Sequence, residues 1–252
     1  MSLCLIAPSC ARLAVIIPLL RSRHAAIFPL SIVAFPCANT PLHIFEARYR
    51  VLFTTLLHGS DGLEEGLANE SSPFLGSRKF GMCFVNSEGG LAATGTMLEI
   101  VHHDKLDDGR MLINSVGRQR FRITNVVQEA PIVICEVELL DEDGIEEDTP
   151  ALRALAGEVV QAFKDVIRLN FKARKLTPTK EALEPKELEG LVHPRDISFW
   201  VASMFGDSRL EQQLLLEMPG TQQRLEREKE VLEETLKWLS AQVQWGQLFR
   251  PV

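Results

Sequence analysis

The chain has 252 residues, 46% of them hydrophobic and 24% charged, which is enough for one large domain or two modest ones with separate cores. A formal net charge of −7 argues against a dedicated nucleic-acid binder, because neutralising phosphates takes a basic footprint. The five cysteines (Cys4, Cys10, Cys37, Cys83 and Cys135) are odd in number and contain no C-x-x-C pair, which argues against a disulfide framework or a structural zinc site and fits a reducing compartment.

Residues 1–45 contain no Asp or Glu, while Arg12, Arg21 and Arg23 lie among serines and alanines. That composition predicts an organelle transit peptide over residues 1–23; a short leader or a strand at Val15–Leu19 is the alternative. Leu13–Leu20 is the longest apolar run, is broken by Pro18, and falls short of a membrane span.

The folded part is expected to start at Ala26. The apolar, β-branched run 27–36 predicts a strand, with Pro29 at an edge or bend because it cannot donate to a ladder. A second short strand is predicted at Pro41–Phe45, then a helix over Glu46–Leu57 with Tyr49, Leu52, Phe53 and Leu56 on one face. Residues 59–78 are polar and rich in Gly and Ser, as in a surface loop. Strands follow at 79–86, 94–102 and 111–116, the last two joined by an acidic turn, Asp104–Arg110. A sharp corner at Gly117–Phe121 is expected to lead into strands at 119–128 and 132–140. At least six short strands with short turns predict a small antiparallel or mixed barrel over 26–141, and the acidic stretch 141–148 marks its end.

Helical patterning fills 149–245. Thr149 and Pro150 open a helix to about Asn170, and a buried helix is expected over Pro194–Phe205. Asp207 or Ser208 caps the next helix, and Thr221 caps the last. That last helix places Leu225, Leu232, Leu236 and Leu239 on one side; its dense Glu, Arg and Lys residues read as a solvated face, with Glu226–Glu230 repelling and Glu233–Lys237 attracting.

Motifs for catalysis are missing. There is no Walker motif, no H-E-x-x-H and no G-x-S-x-G, and the six histidines lack metal-ligand spacing, so neither a metal nor a cofactor is expected. The acids at Asp104, Asp107 and Asp108 read as a solvated turn rather than as acid/base groups.

Three spaced blocks resemble the N-terminal substrate-binding domain of Lon proteases. They are Ile27–Pro36 with Pro41–Tyr49; Gly95–Ile100 with Asp108–Arg110 and Val116–Phe121; and Gln212–Glu217 followed by Arg224-Leu225. Ser198–Ala202 and Leu225–Glu230 are similar to the stand-alone Lon-domain proteins of cyanobacteria and plant plastids. The resemblance implies an α+β fold: a PUA-like β-barrel followed by a helical bundle. It also implies a chloroplast location, with cytoplasm or mitochondrion as alternatives. The chain departs from full Lon proteases, since no AAA+ ATPase and no Ser–Lys peptidase region follows before Val252. The expectation is therefore a non-enzymatic recognition module for unfolded or client polypeptides, with a protease or chaperone as a further partner. Phe28, Phe35, Leu42 and Phe45 are its candidate contacts, and core packing is the alternative for all four. Glu46, Arg48, Arg118 and Arg120 are expected to form an ion-pair network at the corner, with Gly117 supplying a backbone conformation. Arg118, Arg120 and Arg122 are the basic cluster that an RNA-binding PUA-like barrel would use; a hydrolase using its own serine is the remaining alternative.

Overall fold

The computed structural model describes residues 22–60, 63, 65–140, 148–206 and 208–248. Its strands are β1 (Ser22–Leu30), β2 (Asn39–Ile44), β3 (Lys79–Val85), β4 (Leu91–Lys105), β5 (Met111–Gln128) and β6 (Val133–Leu139). Its helices are α1 (Ala47–Leu56), α2 (Pro150–Ala173), α3 (Lys180–Leu183), α4 (Lys186–Glu189), α5 (Pro194–Ser203), α6 (Arg209–Glu217) and α7 (Thr221–Leu248).

The sheet order is β2-β5-β4-β3-β1-β6, and β5 pairs again with β6. Strands β1, β3, β4, β5 and β6 thus form a closed ring, and β2 flanks the first half of β5. Every pairing is antiparallel except β1 with β3. This is the α+β barrel-plus-helices architecture expected, but its spine differs. The stretch 111–128 is one continuous strand; no corner interrupts it. In place of the corner lies a bulge: Leu98 and Thr96 of β4 face Gly117 and Arg120 of β5, so β5 carries one extra residue there. The bulge lets a single strand turn from β2 toward β6.

Two apolar layers result. Inside the ring, Ala25, Ile27, Cys83, Phe121, Cys135 and Val137 fill a narrow space. It is so narrow that a Cβ on Gly95 would meet the Met82 carbonyl oxygen at 2.4 Å and the Phe121 ring at 2.7 Å. On the outer face, Phe28, Leu42, Ile44, Phe80 and Ile113 pack under α1 through Tyr49, Leu52, Phe53 and Leu56. Phe28 meets Tyr49 edge-on at 4.4 Å between centroids.

β1 starts earlier and stops earlier than the apolar run implied. Ser22 and Arg23 already pair with Glu138 and Val137, so the end of the expected leader belongs to the barrel; residues 1–21 lie outside the described residues. Leu30 ends the strand, and 31–38 is a non-strand segment. Pro29 lies beyond the last β6 pairing at Ile27, with β3 alone beside it, which suits a residue lacking an N–H. The expected acidic boundary at 141–147 lies outside the described residues.

In the helical part, the Thr149 hydroxyl accepts from the Leu152 N–H and caps α2. Leu152, Ala156 and Val159 of α2 pack with Trp200 and Val201 of α5 and with Leu225 and Leu232 of α7. Ser208 caps α6, whereas Thr221 is the first residue of α7 rather than its cap. The charged side of α7 is only partly solvated: Arg224 and Glu228 are both 0% exposed. Glu226 and Glu230 take separate donors, Gln222 and Arg227, and Glu233 and Lys237 form no ion pair among the described residues.

Candidate polypeptide-binding groove and the joint beside it

Residues 31–38 bring the two halves together. Phe35 packs with Phe199 and Ala202 of α5 and with Leu215 and Leu216 of α6. The Thr96 hydroxyl donates to the Ala34 carbonyl at 2.7 Å. The segment also lies directly on the β5 bulge: the Cys37 N–H donates to the Gly117 carbonyl and the Gly117 N–H to the Ala38 carbonyl. A Cβ on Gly117 would sit 1.9 Å from the Phe35 carbonyl oxygen. Gly117 is therefore required for close approach. The expectation of a special backbone conformation is corrected, because its φ is not among the positive ones.

The third sequence block is the other side of this joint. Gln212 donates to the carbonyls of Ala202 and Ser203 at the end of α5, and Gln213 donates to Thr94 of β4. Arg120 is buried, and its Nη1 donates to the Leu216 (2.8 Å) and Met218 (2.7 Å) carbonyls. Arg224 reaches the Met218 carbonyl from the other side at 3.3 Å. Two guanidinium groups thus satisfy carbonyls at the end of α6 that no later turn can reach. Both cations lie near the Phe199 ring, with Arg224 at 3.8 Å from its centroid.

The expected corner network does not exist as a unit. Arg48 pairs with Glu46 at 2.9 Å at the start of α1, Arg118 pairs with Glu99 at 2.8 Å, and Arg120 is turned into the joint. The bulge separates Arg118 from Arg120, which sequence spacing alone does not reveal. The same geometry disperses the basic cluster: Arg118 and Arg122 are exposed but Arg120 is not.

No serine reaction centre forms at the buried polar cluster. Ser198 accepts from Arg224 Nε at 2.6 Å and donates to Glu228 Oε1 at 2.8 Å, fully enclosed and out of reach of any substrate. Burial pushes the Glu228 carboxyl well up, against the opposing pull of Ser198 and Arg224. The Cys37 thiol is pushed up to about 11, first by burial and then by Asp196, so it stays protonated and is a poor nucleophile at neutral pH.

Of the four candidate contacts, Phe28 and Leu42 lie under α1 and Phe35 lies in the joint; all three are buried by the elements packed on them. Phe45 alone is open, at 61% exposure. Apolar surface is available elsewhere. Among the described residues β2 has β5 as its single strand neighbour, so its other edge carries no ladder. That edge, at Asn39, Thr40 and Pro41, borders a cleft of about 670 Å³ closed by Phe163, Trp200 and Met204. Phe163, Ile167 and Met204 are shared with a second groove of about 840 Å³ that runs to Leu239 and Trp238 of α7. Trp238 is 60% exposed and Met204 47%. Sequence reasoning missed this path, because its residues come from the 32–41 segment, α2, the α5–α6 connection and α7. An exposed Trp on a charged helix was the one local signal.

The family model for the "ATP-dependent protease La (LON) substrate-binding domain" matches residues 24–234. A Lon protease of Treponema pallidum is 24% identical over 220 residues, covering 82% of this chain. The chain spans 23% of that relative's length. Among solved structures, a Lon N-terminal domain protein from Xanthomonas campestris aligns with a TM-score of 0.55 at 22% identity, over 81% of this chain and 96% of that one. The N-terminal domain of a Mycobacterium avium complex Lon protease aligns at 0.56 and 13% identity, over 85% and 98% respectively. At these identities the structural likeness speaks to the fold.

Proposed function

The chain belongs to the substrate-binding domain family of ATP-dependent protease La (LON), and on that premise we propose that it is a polypeptide-recognition module without catalysis of its own. The matched region is the substrate-binding part, and no ATPase or peptidase region is evident in the 252 residues. The observation that carries the reading is the continuity of that β2 edge with the apolar cleft and groove over Phe163, Ile167 and Met204. An unfolded segment can add its backbone to a strand edge while alternate side chains enter apolar pockets. Folded proteins bury both features, so the site selects unfolded clients.

The physiological role follows as part of the same proposal. The module serves protein quality control by holding clients for a separate protease or chaperone. The acid-poor composition of residues 1–21, ahead of the strand that starts at Ser22, supports an organelle location, with the plastid taken from the resemblance, and fusion of those residues to a fluorescent protein tests it. Binding is tested by fluorescence anisotropy with a labelled, carboxymethylated, permanently unfolded polypeptide. Micromolar binding that Trp238→Glu and Met204→Glu each abolish is the expected result. Binding unchanged in both variants would refute the groove.

A further inference from the structure

The barrel ring is open at one end, and the residues around that opening do not resemble its interior. Strand alternation sets the inward faces: Ala25 and Ile27 on β1, Cys83 on β3, and Cys135 and Val137 on β6 all point into the ring. Two residues before Ala25 on the same face is Arg23, and four before Cys83 on the same face is Lys79. β1 and β3 are parallel, so these two cations stand at the same end. A cavity of about 490 Å³ lies there. All five ring strands line it, with Met97, Val137 and Leu139 as an apolar floor and Phe74 at the side. The β5 bulge brings Arg118 to its rim. A barrel mouth of this size, apolar with a few convergent polar groups, is a common place for a ligand.

The charge balance defines the ligand. Arg118 is already engaged by Glu99, and His24 lies 4.0 Å from Glu136. Arg23 and Lys79 form no ion pair among the described residues, while Glu99, held by Arg118, stands opposite Lys79 across the β3–β4 ladder. Arg23, Lys79 and Arg118 against the one carboxylate of Glu99 leave the rim net positive, which over an apolar floor fits one carboxylate attached to an apolar group. Glu99, opposite Lys79 at the rim, would repel a polyanion. One phenyl ring is little stacking surface for successive bases. We propose that the barrel mouth binds the C-terminal carboxylate of a polypeptide ending in an apolar residue, Arg23 and Lys79 holding the carboxylate and Met97, Val137 and Leu139 the last side chain. This assignment rests on the polypeptide-binding reading and adds a second, end-specific contact to it.

The test uses the full chain and an N-terminally labelled octapeptide ending in Leu-Leu, prepared as the free acid and as the amide. The acid should bind about tenfold more tightly than the amide, as expected for loss of charge-assisted hydrogen bonds. It should also shift the backbone amide resonances of Met97, Val137 and Leu139. The double variant Arg23→Gln, Lys79→Gln, at exposed positions, should bring the acid down to the amide's affinity. Equal binding of acid and amide to the natural chain would overturn the assignment, while the groove reading is judged separately by its Trp238 dependence. A single-stranded RNA oligonucleotide that displaces the acid peptide from those resonances would overturn it as well.

Discussion

Inside the barrel ring the buried side chains are Ala25, Ile27, Cys83, Phe121, Cys135 and Val137, and burial pushes both thiols up so that they stay neutral. The helical part, by contrast, encloses Arg224, Ser198 and Glu228 against Phe199. The difference comes from backbone accounting. Paired strands satisfy one another's N–H and C=O groups along their ladders, which frees the barrel interior to be apolar. A helix leaves its last carbonyls open, and where α6 ends in the joint, the long cationic side chains of Arg120 and Arg224 reach them. The barrel depends on close approach; the helical part depends on buried charge.

The largest effect should come from the buried charge. Arg224→Met removes donors to Ser198, Met218 and Thr221 and strands Glu228 in the interior. A stability loss of about 4 kcal/mol is expected in urea denaturation; a loss below about 1 kcal/mol would erase the contrast between the two halves. Next, Gly117→Ala drives a methyl into the Phe35 carbonyl and should cost about 3 kcal/mol. Because the joint ties both halves through Phe35 and Leu216, each variant should lower one shared unfolding transition, read by near-UV circular dichroism and tryptophan fluorescence together. Two separated transitions would show that the halves fold independently.

Trp238→Ala tests the groove without touching either core. It should weaken binding of an unfolded polypeptide about thirtyfold, as for an aromatic anchor worth about 2 kcal/mol. Its stability should stay within about 0.5 kcal/mol of the natural chain. The smallest effect is a slope. Burial raises the folded pKa of Glu228, so the folded chain keeps a proton that the unfolded chain has released. The contribution is fully present below the ordinary value of about 4.5 and is lost as pH rises toward the folded value. Glu228→Gln keeps an acceptor for Ser198 and removes this term. Across that window its stability should fall less with pH than that of the natural chain, by up to about 1.4 kcal/mol per pH unit. Parallel pH profiles would show that Glu228 does not titrate differently on folding.

Much of the fold was legible because it is local. The Asp104–Arg110 turn between apolar runs, the Thr149-Pro150 helix start and the periodicity of Tyr49, Leu52, Phe53 and Leu56 each depend on neighbours a few residues away. The blocks that carry the family resemblance were also legible, although their reasons were not. Gln212 and Gln213 stand out in sequence, but their use, closing α5 and reaching β4, depends on partners up to 119 residues away. Three of the four candidate contacts are core, the stated alternative, for a related reason. An apolar residue near a proline looks the same whether α1 lies over it, as with Phe28 and Leu42, or it stays 61% exposed, as with Phe45.

By itself the sequence determined the order of strands and helices, the family, and a central stretch around Gly117 on which the rest is arranged. Short-range turn chemistry and apolar periodicity suffice for those. Only the tertiary structure decided that this stretch is a bulged, unbroken strand, since an extra residue is defined by the register of the facing strand. It likewise decided which arginines are surface and which are interior. Arg118 and Arg120 are two residues apart and chemically identical, and the bulge sends one to Glu99 at the rim and the other to the carbonyls closing α6.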